Sequence, residues 1–166
     1  MYATGAVNMI LVLLIIGGII AAIIITSRKR KTAAQTAAPG ANAPMQQNLA
    51  VNMFQNGNTA FNNKNYTDAI GWFHQAASRG HILSQNFLGY MYCSGIGTAQ
   101  DYAESARWYR MAAEQGLAGA QHNLGWMYEN GLGVAKDTNQ AIEWYRKAAV
   151  QGDENAKKAF NRLGGN

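Results

Sequence analysis

The chain has 166 residues, 48% of them hydrophobic, and a formal net charge of +5, enough for one compact domain plus an appendage. Four of its 14 basic residues are the consecutive Arg28, Lys29, Arg30 and Lys31. The remaining ten face nine acidic residues, so the rest of the chain is nearly neutral and lacks the basic stripe that a nucleic-acid binder carries on its folded domain.

No charged side chain precedes Arg28, and residues 6–25 read AVNMILVLLIIGGIIAAIII. At about 1.5 Å per residue such a helix reaches roughly 30 Å, the thickness of a bilayer's hydrocarbon core. A cleaved signal peptide carries its positive charge before a shorter apolar stretch; here the charge follows. Residues 1–27 are therefore expected to form a transmembrane helix with a short outer N-terminus. Basic residues near a helix end stay on the cytoplasmic side, which places the C-terminal part in the cytoplasm and the protein in the inner membrane as a single-pass protein. Gly17, Gly18, Ala21 and Ala22 make two overlapping small-xxx-small pairs, a pattern that lets helices approach closely in lipid. The Arg28–Lys31 run is also placed to touch anionic headgroups of the membrane lipid.

Residues 28–47 follow as a basic juxtamembrane run and a linker, TAAQTAAPGANAPMQQ, which holds both prolines and no charge. As a flexible coil its sixteen residues span roughly 20–25 Å. The folded domain is assigned to residues 48–166.

Within that domain the chain repeats itself. Residues 85–120, QNFLGYMYCSGIGTAQDYAESARWYRMAAEQGLAGA, align without a gap on 121–156, QHNLGWMYENGLGVAKDTNQAIEWYRKAAVQGDENA, with 17 of 36 positions identical. A period of this length marks a stack of supersecondary units. Each unit reads as two helices. The first carries Leu88-Gly89-x-Met91-Tyr92 or Leu124-Gly125-x-Met127-Tyr128, and a loop follows at Gly95-Ile96-Gly97 or Gly131-Leu132-Gly133. The second starts at Asp101 or Asp137, with Glu104 or Gln140 three positions on, the pattern of a capping box. Trp108-Tyr109 and Trp144-Tyr145 precede the pairs Ala112-Ala113 and Ala148-Ala149. One period earlier Asn65, Ala69, Trp72, Phe73, Ala76, Ala77 and Gly80 fall on the same positions, without the glycine loop. The chain closes with DENAKKAFNRL, a capping helix in which Phe160 and Leu163 cover the last repeat while Lys157, Lys158 and Arg162 face water.

The motif A-x-x-x-L-G-x-x-Y-x-x-G-x-G-V, then D-x-x-x-A-x-x-W-Y-R-K-A-A-x-x-G, matched from Ala120 to Gly152, resembles the Sel-one-like repeat family, a relative of the tetratricopeptide repeats. The preceding unit departs from it at Thr98, Ser105 and Met111. The resemblance implies an all-α fold: a short right-handed α-solenoid of about three helix pairs plus a capping helix, preceded by the transmembrane helix. It also implies a non-enzymatic scaffold without cofactor or small-molecule substrate, whose partners are other protein subunits.

The sequence offers little chemistry against that expectation. His74, His81 and His122 have no metal-ligand spacing to a carboxylate or cysteine. His74 takes the place of Arg110 and Arg146, so a surface position is expected for it. Cys93 is the only cysteine, which leaves no disulfide and no cysteine cluster. Gly95-Ile96-Gly97 lacks the strand before and the Gly-Lys-Ser/Thr after that a phosphate loop needs. Neither a catalytic residue nor a metal ligand is assigned. Candidate partner-binding residues are those of the first helices that vary between units, expected on a concave face: Asn86, Phe87, Tyr90, His122, Asn123, Trp126, Glu129 and Asn130. The expected function is a membrane-anchored protein–protein interaction module, an accessory or assembly subunit of a bacterial inner-membrane complex of respiratory, secretion or pilus type. The alternative is a free-standing adaptor, regulator or chaperone-like receptor that binds clients transiently.

Overall fold

A computed structural model describes residues 43–164. The expected transmembrane helix with Gly17, Gly18, Ala21 and Ala22, the Arg28–Lys31 run and most of the linker lie outside the described residues. Among the described residues no helix is long and apolar enough to cross a membrane.

Among the described residues seven helices follow one another: α1 (Ala43–Asn62), α2 (Tyr66–Ala77), α3 (Ile82–Ser94), α4 (Tyr102–Glu114), α5 (Ala118–Asn130), α6 (Thr138–Val150) and α7 (Glu154–Arg162). The described residues contain no strand. Three pairs, α1–α2, α3–α4 and α5–α6, are followed by α7 as the expected cap. Helix α1 begins at Ala43, ahead of the boundary expected at residue 48, so the last residues assigned to the linker are helical. Pro44 sits in its first turn, where a missing N–H costs nothing because those donors have no partner inside the helix.

From α2 onward each helix packs chiefly on the one before and the one after, the one-dimensional arrangement of a solenoid. The core lies between units as much as within them. One cluster joins Ala69, Phe73 and Ala77 of α2 to Leu88 and Met91 of α3 and Trp108 of α4. The next joins Ala106, Tyr109, Ala112 and Ala113 of α4 to Ala120, Leu124 and Met127 of α5. The last joins Ala141, Tyr145 and Ala148 of α6 to Ala156 of α7, with Phe160 and Leu163 packed against it. Ala76, Ala77, Ala112, Ala113 and Ala148 are buried because they are the floor on which the next helix lies.

The loop glycines divide two tasks. Gly95 and Gly131 end α3 and α5 in the left-handed region, at φ 68° and 69°, and direct their N–H groups at the carbonyls of Met91 and Met127, a glycine C-cap. Gly97 and Gly133 are docking residues. A Cβ on Gly97 would stand 2.5 Å from Tyr66 Cβ, and one on Gly133 would collide with the Tyr102 carbonyl. Tyr66 and Tyr102 open the second helix of the preceding unit, so this glycine lets one unit's loop lie on its predecessor's backbone. The first unit has no preceding repeat among the described residues. Its turn is short, with Lys64 alone at positive φ (61°) among the described non-glycine residues.

The expected caps form, and half of the capping box does not. Asp101 and Asp137 accept hydrogen bonds from the backbone N–H of Glu104 and Gln140, each at 3.0 Å, and Asn65 caps α2 from Asp68 N–H. The reciprocal bond from position 104 or 140 is replaced: the N–H groups of Asp101 and Asp137 donate to the carbonyls of Tyr92 and Tyr128, each at 2.9 Å. The Glu104 carboxylate turns instead to Arg107 at 2.6 Å.

His74 is a correction to the surface position expected for it. It is half-buried, its Nε2 is 3.0 Å from the Tyr92 hydroxyl, and its ring meets Trp108 edge-on at 5.2 Å. One repeat later Arg110 donates to the Tyr128 hydroxyl at 2.8 Å. This position thus ties α2 and α4 each to a tyrosine of the following unit, through an imidazole in one and a guanidinium in the other.

Candidate protein-interaction face

The helices divide by charge. Neither α1 nor α3 contains a Lys, Arg, Asp or Glu, and α5 contains only Glu129. Helices α4, α6 and α7 carry Glu104, Arg107, Arg110 and Glu114; Glu143, Arg146 and Lys147; and Glu154, Lys157, Lys158 and Arg162. A helix with one apolar stripe and a charged outer face is an ordinary surface helix, whereas one apolar or uncharged all round is covered on both sides. One side of α3 and α5 is covered by α4 and α6. The other side presents Leu83, Tyr90 and Trp126 to solvent, at 43, 44 and 41% exposure.

Four of the eight candidate residues come together. Asn86, Phe87 and Tyr90 of α3, Tyr109 of α4 and Asn123 of α5 line one pocket of about 250 Å³. Phe87 is shared with the core: its ring stacks on Phe73 at 5.1 Å and meets Phe54 and Phe61 edge-on at 5.8 and 6.1 Å. Tyr90 and Trp126 occupy the same repeat position, one period apart.

Of the other four candidates Trp126 is exposed, and three are engaged within the fold. The His122 ring lies 5.6 Å from that of Tyr145. Glu129 accepts from the Tyr145 hydroxyl at 2.8 Å and pairs with Arg162 of α7 at 2.7 Å. Burial works against its charge, but the hydrogen bonds from Arg162 and Tyr145 hold its carboxyl below the ordinary value. It therefore fastens the cap to the last unit. Asn130 donates from Nδ2 to the Trp126 carbonyl at 2.8 Å, closing the end of α5. Tyr109 and Leu83 were missed as candidates: Tyr109 is a repeated framework residue, and Leu83 lies just ahead of the aligned 36-residue stretch.

Other polar side chains serve the framework. Gln85 and Gln121 are buried; each donates to the carbonyl of Ala77 or Ala113 in the preceding helix and accepts from Gln115 or Gln151. Burial pushes the Cys93 thiol up from its ordinary value, against a hydrogen bond from Ser105, so little thiolate forms near neutral pH. Among the described residues no three His, Cys, Asp or Glu side chains are grouped to hold a metal ion.

Three consecutive matches to the Sel1 repeat cover residues 43–81, 82–117 and 118–153, the three helix pairs. A Sel1 repeat protein from Oxalobacter formigenes is 39% identical, with a TM-score of 0.65 over 74% of this chain and 93% of that one. A protective antigen of uropathogenic Escherichia coli with an SLR fold is 34% identical, with a TM-score of 0.56 over 80% of this chain and 27% of that one. Helicobacter pylori cysteine rich protein B shares the fold at 18% identity, with a TM-score of 0.57 over 74% of this chain and 98% of that one. No curated protein sequence matches. Three repeats in tandem, and a solved relative at 39% identity along nearly its whole length, show that the chain belongs to the Sel1 repeat family.

Proposed function

We propose that the protein is a membrane-anchored interaction module that works as an accessory or assembly subunit of a larger inner-membrane complex. Sel1 repeat proteins are protein–protein interaction modules. The observation that carries the reading is the face of α3 and α5, which exposes Tyr90 and Trp126 and whose only charge, Glu129, is already paired. Interfaces between proteins are depleted of charge at their centre and enriched in aromatic residues. The uncharged segment 6–25 and the basic run Arg28–Lys31 support a single inner-membrane span with the repeats on the cytoplasmic side. Gly17, Gly18, Ala21 and Ala22 would then supply a second contact within the bilayer. Two contacts joined by a short tether raise effective concentration, so neither has to be strong alone.

Purification of the full tagged chain from its native membrane in mild detergent tests this. A stoichiometric partner is expected. Recovery of the chain alone, before and after cross-linking, would rule out a stable subunit and favour an adaptor that engages clients transiently.

A further inference from the structure

In the first and third units an aromatic ring covers the large aromatic residue of the second helix, and in the middle unit none does. The residue three positions before the packing glycine is Phe54 ahead of Gly57, Asn86 ahead of Gly89 and His122 ahead of Gly125. Phe54 lies 5.9 Å from the ring of Phe73, and His122 lies 5.6 Å from the ring of Tyr145. Over Tyr109 the equivalent residue is the short amide Asn86, and there the pocket opens. Asn86 Oδ1 is buried without a hydrogen-bond partner. A buried acceptor left unpaired is costly, and most in native proteins find a donor; Asn86 is also one of the residues that line the pocket.

We propose that this pocket receives a large apolar side chain from an extended, uncharged segment of a partner polypeptide, whose adjoining peptide unit hydrogen-bonds the Asn86 amide. The inference rests on the interaction reading above and adds the chemistry of the partner. The partner's side chain stands where Phe54 and His122 stand in the other units. An extended segment is required because the N–H groups within a helix are already bonded to its own carbonyls, whereas a strand-like segment offers both groups of a peptide unit. An uncharged segment is required because α3 has no charge and the one on α5 is engaged by Tyr145 and Arg162. A buried charge from the partner would lose its hydration with no counter-charge to replace it. Tyr90 and Trp126 flank the pocket as the aromatic contacts expected beside such an anchor.

The test places a photoreactive benzoylphenylalanine at Leu83, one turn from Asn86, in the full chain in its native membranes, and maps the captured peptide by mass spectrometry. The expected capture is one polypeptide segment with a large apolar residue and no charge beside it. Asn86→His, which supplies the covering ring from within, lowers the capture about tenfold while leaving the unfolding midpoint unchanged or raised. Asn86→Ala, which removes the amide without filling the pocket, lowers it as well. Capture of lipid, of a charged segment or of a second copy of this chain overturns the proposal. So does capture unchanged in both variants. If a partner still co-purifies in those cases, the pocket inference alone fails; if none co-purifies with the wild-type chain, the interaction reading fails with it.

Discussion

The ring of Tyr109 fills the space beside Gly89 that a side chain would need: a Cβ built there would lie 2.6 Å from Tyr109 Cδ1. Gly125 and Tyr145 stand in the same relation at 2.9 Å, and Gly57 and Phe73 at 2.5 Å. Three glycine–aromatic contacts, one per unit, therefore set how closely the two helices of each pair approach. The glycine is retained inside a helix despite its cost of about 1 kcal/mol relative to alanine, because packing decides the position.

Gly89→Ala and Gly125→Ala are expected to destabilise the domain by about 1–3 kcal/mol each through overpacking. Gly119→Ala, on a helix with open space around the added Cβ, is expected to stabilise by about 0.5–1 kcal/mol. Urea unfolding of the full chain in detergent, followed by circular dichroism, separates the two. Stabilisation by Gly89→Ala would remove the packing explanation.

Gly133→Ala should cost more than Gly116→Ala. Both positions have positive φ, at 68° and 95°, but only Gly133 lies against another unit's backbone. The difference between the two unfolding free energies is the cost of separating the third unit from the second. Hydrogen exchange should show α5–α7 opening ahead of α2–α4 in the Gly133 variant alone.

The helix caps give a third test. Asp101→Ala and Asp137→Ala should each cost about 1 kcal/mol, the usual loss of an N-cap. Glu104→Ala should cost no more than an exposed ion pair, under about 1 kcal/mol, because the Asp101 N–H is held by the Tyr92 carbonyl at 2.9 Å. Equal losses at 101 and 104 would restore the reciprocal capping box.

The motif grammar of the second and third units was legible from sequence because the period of 36 repeats the same solution twice. Leu88 and Leu124, Met91 and Met127, Ala112 and Ala113, and Ala148 are all buried where the pattern places them. What the alignment could not show was which partner each polar side chain meets in the neighbouring unit. His74 reads as a surface residue when aligned with Arg110, yet both reach a tyrosine 18 positions on. Phe87 reads as a variable groove residue when compared with Asn123, yet Phe54, Phe61 and Phe73 of the irregular first unit draw its ring inward. The pocket beside it depends on Asn86 being small where the other units have rings, a difference that has meaning only once Tyr109 lies beneath it. The near-absence of charge from α1, α3 and α5 was present in the sequence and becomes an argument once one face of those helices is seen uncovered.

Acid should weaken the second unit through His81. Its Nδ1 accepts the N–H of Ser84 at 3.2 Å and so caps α3 as a neutral imidazole. Burial lowers its pKa from the ordinary 6.5, and burial likewise lowers that of His74, against the charge of Glu104. For groups whose folded pKa is depressed, the stabilisation is complete above the unfolded value and is lost as pH falls through the folded one. Stability should therefore be level above about pH 6.5 and decline below it. His81→Asn, which keeps a capping acceptor that does not titrate, should flatten part of that decline in unfolding measured at several pH values.

Recovery of the partner by a Tyr90→Ala/Trp126→Ala variant tests the central claim most directly. Both side chains are more than 40% exposed, so their loss should leave the unfolding midpoint close to that of the wild type. The full tagged chain, extracted from its host cells in mild detergent, is expected to bring down a stoichiometric partner, and the double variant about tenfold less. Partner recovery at the wild-type level from a folded double variant would contradict the assignment of the α3–α5 face as the binding surface.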